Sequence, residues 1–198
     1  SYSKSTGGYL MQIDYKIYRL KLEIPFAIAR GTTAEHDICI VSIRQGEVIG
    51  YGEASPSKYY SDSVENAVAF IEEARRVLGN DPFQLERIAH DLRGIPVNSP
   101  SARAGIEMAL YDLVGKLLNV PVFKLLGLSG MSPPRTSITV GVEDVGLIKP
   151  RLNYLKSFPI IKAKLGFGDE KGLLELLKAE TGSTLRVDAN EGLSLIHI

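Results

Sequence analysis

Two short stretches near the end of the chain hold residue types that can move a proton. They are Ile161-Lys162-Ala163-Lys164-Leu165 and Leu185-Arg186-Val187-Asp188-Ala189-Asn190. Each is an apolar run that ends in charged or polar groups. Residues two apart on a strand share a face, so Lys162 and Lys164 point the same way, and so do Asp188 and Asn190. A helical stretch over about residues 169–180 separates the runs, long enough for a parallel crossover. Two amines and a carboxylate would then gather at the C-terminal ends of neighbouring parallel strands, where α/β barrels place their chemistry.

The elements that must position these groups fall into two blocks. Over residues 12–22, Ile13, Tyr15 and Ile17 alternate with polar neighbours, which predicts a strand. Residues 38–44 and 48–51 are β-rich runs joined by Gln45-Gly46-Glu47, a hairpin pattern. The three together predict a small antiparallel sheet, with residues 26–33 as a loop. Val64, Val68, Ile71, Val77 and Leu78 then recur at helical spacing, with Gly79 as a stop. Asp81-Pro82 and Ser99-Pro100 each place a capping residue before a proline at the first helical position. The helix after the second carries a wide apolar stripe through Ile106, Ala109, Leu110, Leu113, Val114 and Leu117. Residues 121–126 read as one more helical turn, ended by Gly127. Residues 129–135, rich in Gly, Pro and Ser, mark a domain boundary.

Beyond that boundary the order becomes β-α-β-α-β. The strands are 136–142, 160–165 and 185–188, and the helices about 144–157 and 169–180. This alternation predicts a parallel sheet or barrel. Pro150 should kink the first of these helices or move its start.

Composition excludes several classes of function. The formal net charge is zero and no long run of one sign occurs, so neither nucleic acid nor an anionic membrane is an expected partner. No apolar stretch approaches the ~20 residues of a membrane span. The single cysteine, Cys39, rules out an intrachain disulfide and reads as a small core residue. A reducing, cytoplasmic setting fits. Residues 1–10 are polar and lack a signal-peptide core. Met11 opens the first patterned segment, so residues 1–10 read as a leader or vector remnant, or else as a native arm.

Several motifs together resemble the enolase superfamily, muconate-lactonizing subgroup, and within it the dipeptide epimerases of the L-Ala-D/L-Glu type. They are Gly50-Tyr51-Gly52-Glu53-Ala54-Ser55-Pro56, the helix Ala102-Arg103-Ala104-Gly105-Ile106-Glu107-Met108-Ala109-Leu110-Tyr111-Asp112, and residues 122–127. Thr139-Val140-Gly141-Val142, the Lys-x-Lys pair and Val187-Asp188-Ala189-Asn190 complete the set. The likeness implies an α+β capping domain over residues 11–130, a three-stranded antiparallel sheet plus a helical bundle. The first three β/α units of a truncated TIM-like (β/α) barrel would follow over residues 131–192. It also implies Mg²⁺, a small-molecule substrate such as a dipeptide, and removal and return of a proton next to a carboxylate through an enolate. These enzymes are often oligomeric, so a homo-oligomer is possible. Mapped by motif, Lys164 is the acid or base on one face of the substrate, with Lys162 beside it. Asp188 is the first Mg²⁺ ligand and Asn190 a polar support. Arg30, in the loop that closes over the substrate, and Thr136 are the implied substrate contacts.

The physical logic of those roles is consistent. Removing the α-proton builds a second negative charge on the substrate, which a divalent cation on the carboxylate oxygens offsets. Mg²⁺ takes oxygen ligands, so a strand-end carboxylate suits it. A lysine base must be neutral, and a second ammonium or a metal nearby makes it easier to deprotonate.

Bland readings stand beside these. Lys-x-Lys on a strand is ordinarily a solvated face, and an Asp near a strand end is often a cap. Here the strands are apolar and read as interior, where lysines without a role are costly. Arg30 could equally sit in solvent. His36 and His90 lack metal spacing. Gly50 and Gly52 read as backbone shape, and Glu53 as structural. Cycloisomerase or o-succinylbenzoate synthase chemistry would use the same lysines and metal. A non-catalytic α+β module would instead need Lys162 and Lys164 in solvent.

A complete barrel needs ~250 residues, and residues 131–192 are far fewer. The remaining acidic ligands and the second lysine are expected on later strands, so the chain reads as an N-terminal fragment. Residues 193–198 (LSLIHI) read as a non-native tail, closer to a translated sequencing adapter than to protein. Alone, the 198 residues are expected to be inactive and prone to aggregate from about residue 136 onward.

Overall fold

The computed structural model describes residues 10–28, 31–128, 133–141, 145–165 and 170–189. Alternation in the first third of the chain folds into β1 (Gln12–Ile28), β2 (Gly31–Gln45) and β3 (Val48–Ala54), which form one sheet in that order. The hairpin between β2 and β3 pairs Gln45 with Val48 across a two-residue loop, and Gly46 there has a φ of 59°. A side chain would strain that position. Arg19 pairs with Asp37, and Lys21 with Glu35, so β1 and β2 also run antiparallel. The hydrogen bond from Arg19 holds the Asp37 carboxyl below its ordinary value. The strands extend further than residues 12–22 and 38–44. The expected loop at 26–33 is strand through Ile28 and again from Gly31, because the hairpin ladder continues outward.

Four helices follow: α1 (Val64–Ala74), α2 (Leu85–Arg93), α3 (Pro100–Leu118) and α4 (Val122–Leu125). Ser99 caps α3 through the Ala102 N–H, with Pro100 in its first turn, as the sequence suggests. Asp81-Pro82 instead builds a turn. Its carboxylate accepts the Phe83 N–H, and α2 begins only at Leu85. The apolar faces of the helices close with Ile13, Cys39, Val41 and Ile43 of the sheet into one core. Burial raises the Cys39 thiol above its ordinary value, which fits a core residue.

Asp62 ties this unit together and is only 3% exposed. Its Oδ1 accepts from the Ser63 N–H and the Ser99 hydroxyl at 2.9 Å each, and its Oδ2 from the Ser101 N–H at 3.1 Å. A carboxylate thus satisfies donors at the starts of two helices, where the backbone has none of its own to offer. Asp62→Ala is expected to cost about 2–4 kcal/mol of stability, since it orphans those buried donors. Urea denaturation measures it, and a loss within error of zero would exclude this role.

The second half carries β4 (Ile138–Val140), α5 (Val145–Ile148), α6 (Leu152–Leu155), β5 (Ile160–Lys164), α7 (Glu170–Thr181) and β6 (Thr184–Asp188). Pro150 divides the expected single helix at 144–157. A 3₁₀ turn over Lys149–Arg151 joins α5 to α6, because proline cannot donate to a continuing helix. The three strands form a parallel sheet in the order β4-β5-β6. Val140, Ile161 and Ala163 bury one face of it against Ile148, Leu155, Leu173 and Leu177 of the helices. Each large apolar side chain so buried contributes about 1.5–3 kcal/mol.

By contact density the chain divides into two units, Ser1–Leu20 with His36–Met131, and Lys21–Glu35 with Ser132–Ile198. Among the described residues no helix is long and apolar enough to cross a membrane.

Candidate active site

The site follows from the alternation of β5. Ile161 and Ala163 are fully buried against the helices, which turns Lys162 and Lys164 to the other face. Parallel pairing then sets their neighbours. Lys162 lies between Thr139 of β4 and Arg186 of β6, and Lys164 lies beside Asp188. The Leu165 N–H donates to the Asp188 carbonyl at 2.9 Å, which holds the end of β6 onto β5. At the other end, the Thr184 N–H donates to the Pro159 carbonyl at 3.0 Å.

One carboxylate oxygen serves both amines. Asp188 Oδ2 lies 2.7 Å from Lys164 Nζ, which donates to it, and 2.7 Å from Lys162 Nζ. Charge-assisted contacts of this length are among the strong ones. The Lys164 side chain is only 11% exposed, against 37% for Lys162. A solvent-facing module would leave both in bulk water; Lys164 is sheltered. Arg186, the register partner of Lys162, lies on the same face of the sheet.

Lys162, Lys164 and Asp188 are brought together. Thr136 is not. It is exposed and precedes β4, at the N-terminal end of the sheet, while Lys164 and Asp188 end their strands. At ~3.3 Å per residue, Thr136 lies roughly 16 Å below the level of Lys164. Strand order alone does not say at which end a residue lands; direction and register do. Arg30 and Asn190 lie outside the described residues. Sequence reasoning gave Arg186 no role. Its spacing of two from Asp188 was the available signal, since it requires the same face.

The remaining polar candidates have partners within the first unit. His36 Nε2 lies 2.7 Å from Ser55 Oγ, and His90 pairs with the neighbouring Asp91. Gly50 and Gly52 pack β3 against α3, the backbone role expected of them.

Asp188 supplies hard oxygens at a strand end, which suits Mg²⁺. Among the described residues no three His, Cys, Asp or Glu side chains converge to hold a metal. Of the described residues on this face, Asp188 is the one whose oxygens could hold such an ion.

A capping-type α+β unit followed by parallel β/α units with this cluster defines a class of protein. Residues 12–127 match the N-terminal domain of mandelate racemase / muconate lactonizing enzyme, and the chain belongs to that family within the enolase superfamily. Among its curated relatives is L-Ala-D/L-Glu epimerase of Bacteroides thetaiotaomicron, 33% identical over 186 residues that cover 93% of this chain and 49% of that protein. Dipeptide epimerase from Enterococcus faecalis V583, complexed with Mg and the dipeptide L-Leu-L-Tyr, superposes with a TM-score of 0.83 at 28% identity. That match covers 94% of this chain and 55% of the other. Dipeptide epimerase from Methylococcus capsulatus, complexed with Mg and L-Arg-D-Lys, gives 0.81 at 30% identity, over 94% and 55% of the two chains. The chain spans about half the length of the curated relatives it matches.

Proposed function

We propose that this chain corresponds to the amino-terminal half of a Mg²⁺-dependent dipeptide epimerase. The observation that carries the proposal is the shared Asp188 oxygen, 2.7 Å from two lysine amines at the ends of parallel strands. The choice of dipeptides over other substrates of the superfamily rests on the relatives named above.

In this reading Lys164 Nζ removes or returns the α-proton. It is the more sheltered amine, its side chain 11% exposed against 37% for Lys162. Lys162 stands beside it and contributes positive charge toward the substrate carboxylate. Asp188 holds the two amines at one point, and would be one ligand of the cation. A bound divalent cation would supply the charge that offsets the negative charge growing on the substrate carbonyl. Asn190 is a polar support and Arg30 a holder of a substrate carboxylate, as the motif mapping implies. The partner lysine on the opposite substrate face, and the other acidic ligands, would come from later strands.

The test uses the full-length enzyme. It is incubated with Mg²⁺ in D₂O against a panel of L,L-dipeptides that includes L-Ala-L-Glu. The expected result is loss of one α-proton signal by NMR and growth of the L,D diastereomer, both abolished by EDTA. A folded enzyme that exchanges no α-proton on any dipeptide, yet lactonises cis,cis-muconate, would assign it to the cycloisomerases instead.

A further inference from the structure

Among the described residues β3 ends its sheet, so one of its sides has no neighbouring strand there. Its register says which backbone groups face that way. Gln45 and Val48 flank a two-residue loop and form a hydrogen-bonded pair, after which bonded and non-bonded pairs alternate. Ile49 (opposite Arg44) and Tyr51 (opposite Ser42) therefore fall at non-bonded positions, with N–H and C=O turned away from β2. Edge groups of this kind are a template for another strand.

One group of each is engaged by α3. Asp112 Oδ2 accepts the Tyr51 N–H at 2.8 Å, across 61 residues of sequence. Lys116 Nζ donates to the Ile49 carbonyl at 2.8 Å and to Asp112 Oδ2 at 2.6 Å. The same amine stands 5.1 Å from the centre of the Tyr51 ring. Asp112 and Lys116 are one helical turn apart, as Ile49 and Tyr51 are one pleat apart. The close seating of α3 on Gly50 and Gly52 brings the pair within reach of the edge.

We infer that Asp112 and Lys116 act as a side-chain substitute for a fourth strand, closing β3 to pairing with a strand from a second copy of this chain. The acceptor takes the Tyr51 N–H and the donor the Ile49 carbonyl, two of the edge groups that a strand would engage. The ion pair between them keeps both charges compensated at a partly exposed edge. This role is independent of the proton chemistry proposed above.

Residue-resolved hydrogen exchange on the folded chain tests it. Asp112→Ala should speed exchange of the Tyr51 amide at least about tenfold and leave the inward Gly50 and Gly52 amides protected. If that variant does not fold, Asp112→Asn provides a weaker acceptor, and a smaller acceleration at Tyr51 alone is expected. The Asp112→Ala/Lys116→Ala double variant should self-associate more strongly than the parent in sedimentation velocity. Adding Tyr51→Pro, which cannot donate at that edge, should return it to parental behaviour. Unchanged Tyr51 exchange in either folded variant, or added association that Tyr51→Pro does not reverse, would overturn the inference.

Discussion

Lys164→Met in the full-length enzyme is expected to lower epimerisation by about 10²–10⁴-fold, the range a positioned acid or base contributes. The substitution keeps an apolar stem of similar length at a site that is only 11% exposed, so packing should change little. The informative readout is exchange in D₂O, taken separately from the two epimers. If Lys164 serves one face of the substrate, its loss abolishes exchange of the epimer whose α-proton meets it. Exchange of the other epimer, served from the opposite face, should persist. Equal loss from both would point to a collapsed site; unchanged rates would remove Lys164 from the chemistry. Lys162→Met should weaken turnover without this asymmetry, because Lys162 is the more exposed neighbour. Asp188→Asn is the companion. It removes the shared counter-ion of two amines 2.7 Å away and the carboxylate proposed to meet the cation. Mg²⁺ affinity, read by calorimetry, should fall together with activity.

The second large effect belongs to the first of the two units. Gly52→Ala is expected to cost about 3–5 kcal/mol, enough to unfold much of the protein. A Cβ at Gly52 would stand 2.0 Å from the Gly105 carbonyl oxygen and 2.9 Å from the Ala109 nitrogen. At Gly50 it would meet the Ala109 carbonyl oxygen at 2.1 Å. These are backbone atoms of a 19-residue helix and cannot swing aside as a side chain would. α3 would have to lift off β3, and the apolar contacts along Ile106, Ala109, Leu110 and Leu113 would open with it. Gly94→Ala is the control. There a Cβ comes only to 3.3 Å of a carbonyl and φ is −78°, so a change within about 1 kcal/mol is expected. Urea midpoints of the two variants make the comparison. A Gly52→Ala protein as stable as Gly94→Ala would mean that α3 and β3 are not in such close contact.

Much of this molecule was legible in the residues. Period-two alternation placed Lys162 and Lys164 on one face and Asp188 on a strand end, because a pleated strand allows only two directions. Ser99-Pro100 marked the start of α3 for an equally local reason, a hydroxyl accepting the Ala102 N–H. The same kind of signal misled at Asp81-Pro82. A capping carboxylate and a proline suit a turn as well as a helix start, and the choice went to the turn at Phe83. Likeness along a strand says nothing about which end of the sheet a residue occupies, so the place of Thr136 before β4 was not legible in it.

What the sequence determined by itself was therefore local: which residues alternate, where helices begin, and which side chains on one strand must share a face. Only the tertiary structure decided that Asp188 stands level with Lys164 and reaches Lys162 through the same oxygen. It alone decided that Asp112 finds an N–H 61 residues away. The reason is physical. Dihedral preference and periodicity act over a few residues, whereas register and close approach are selected by the burial of whole faces. Here those faces are Ile161 and Ala163 against the helices, and Gly50 and Gly52 against α3.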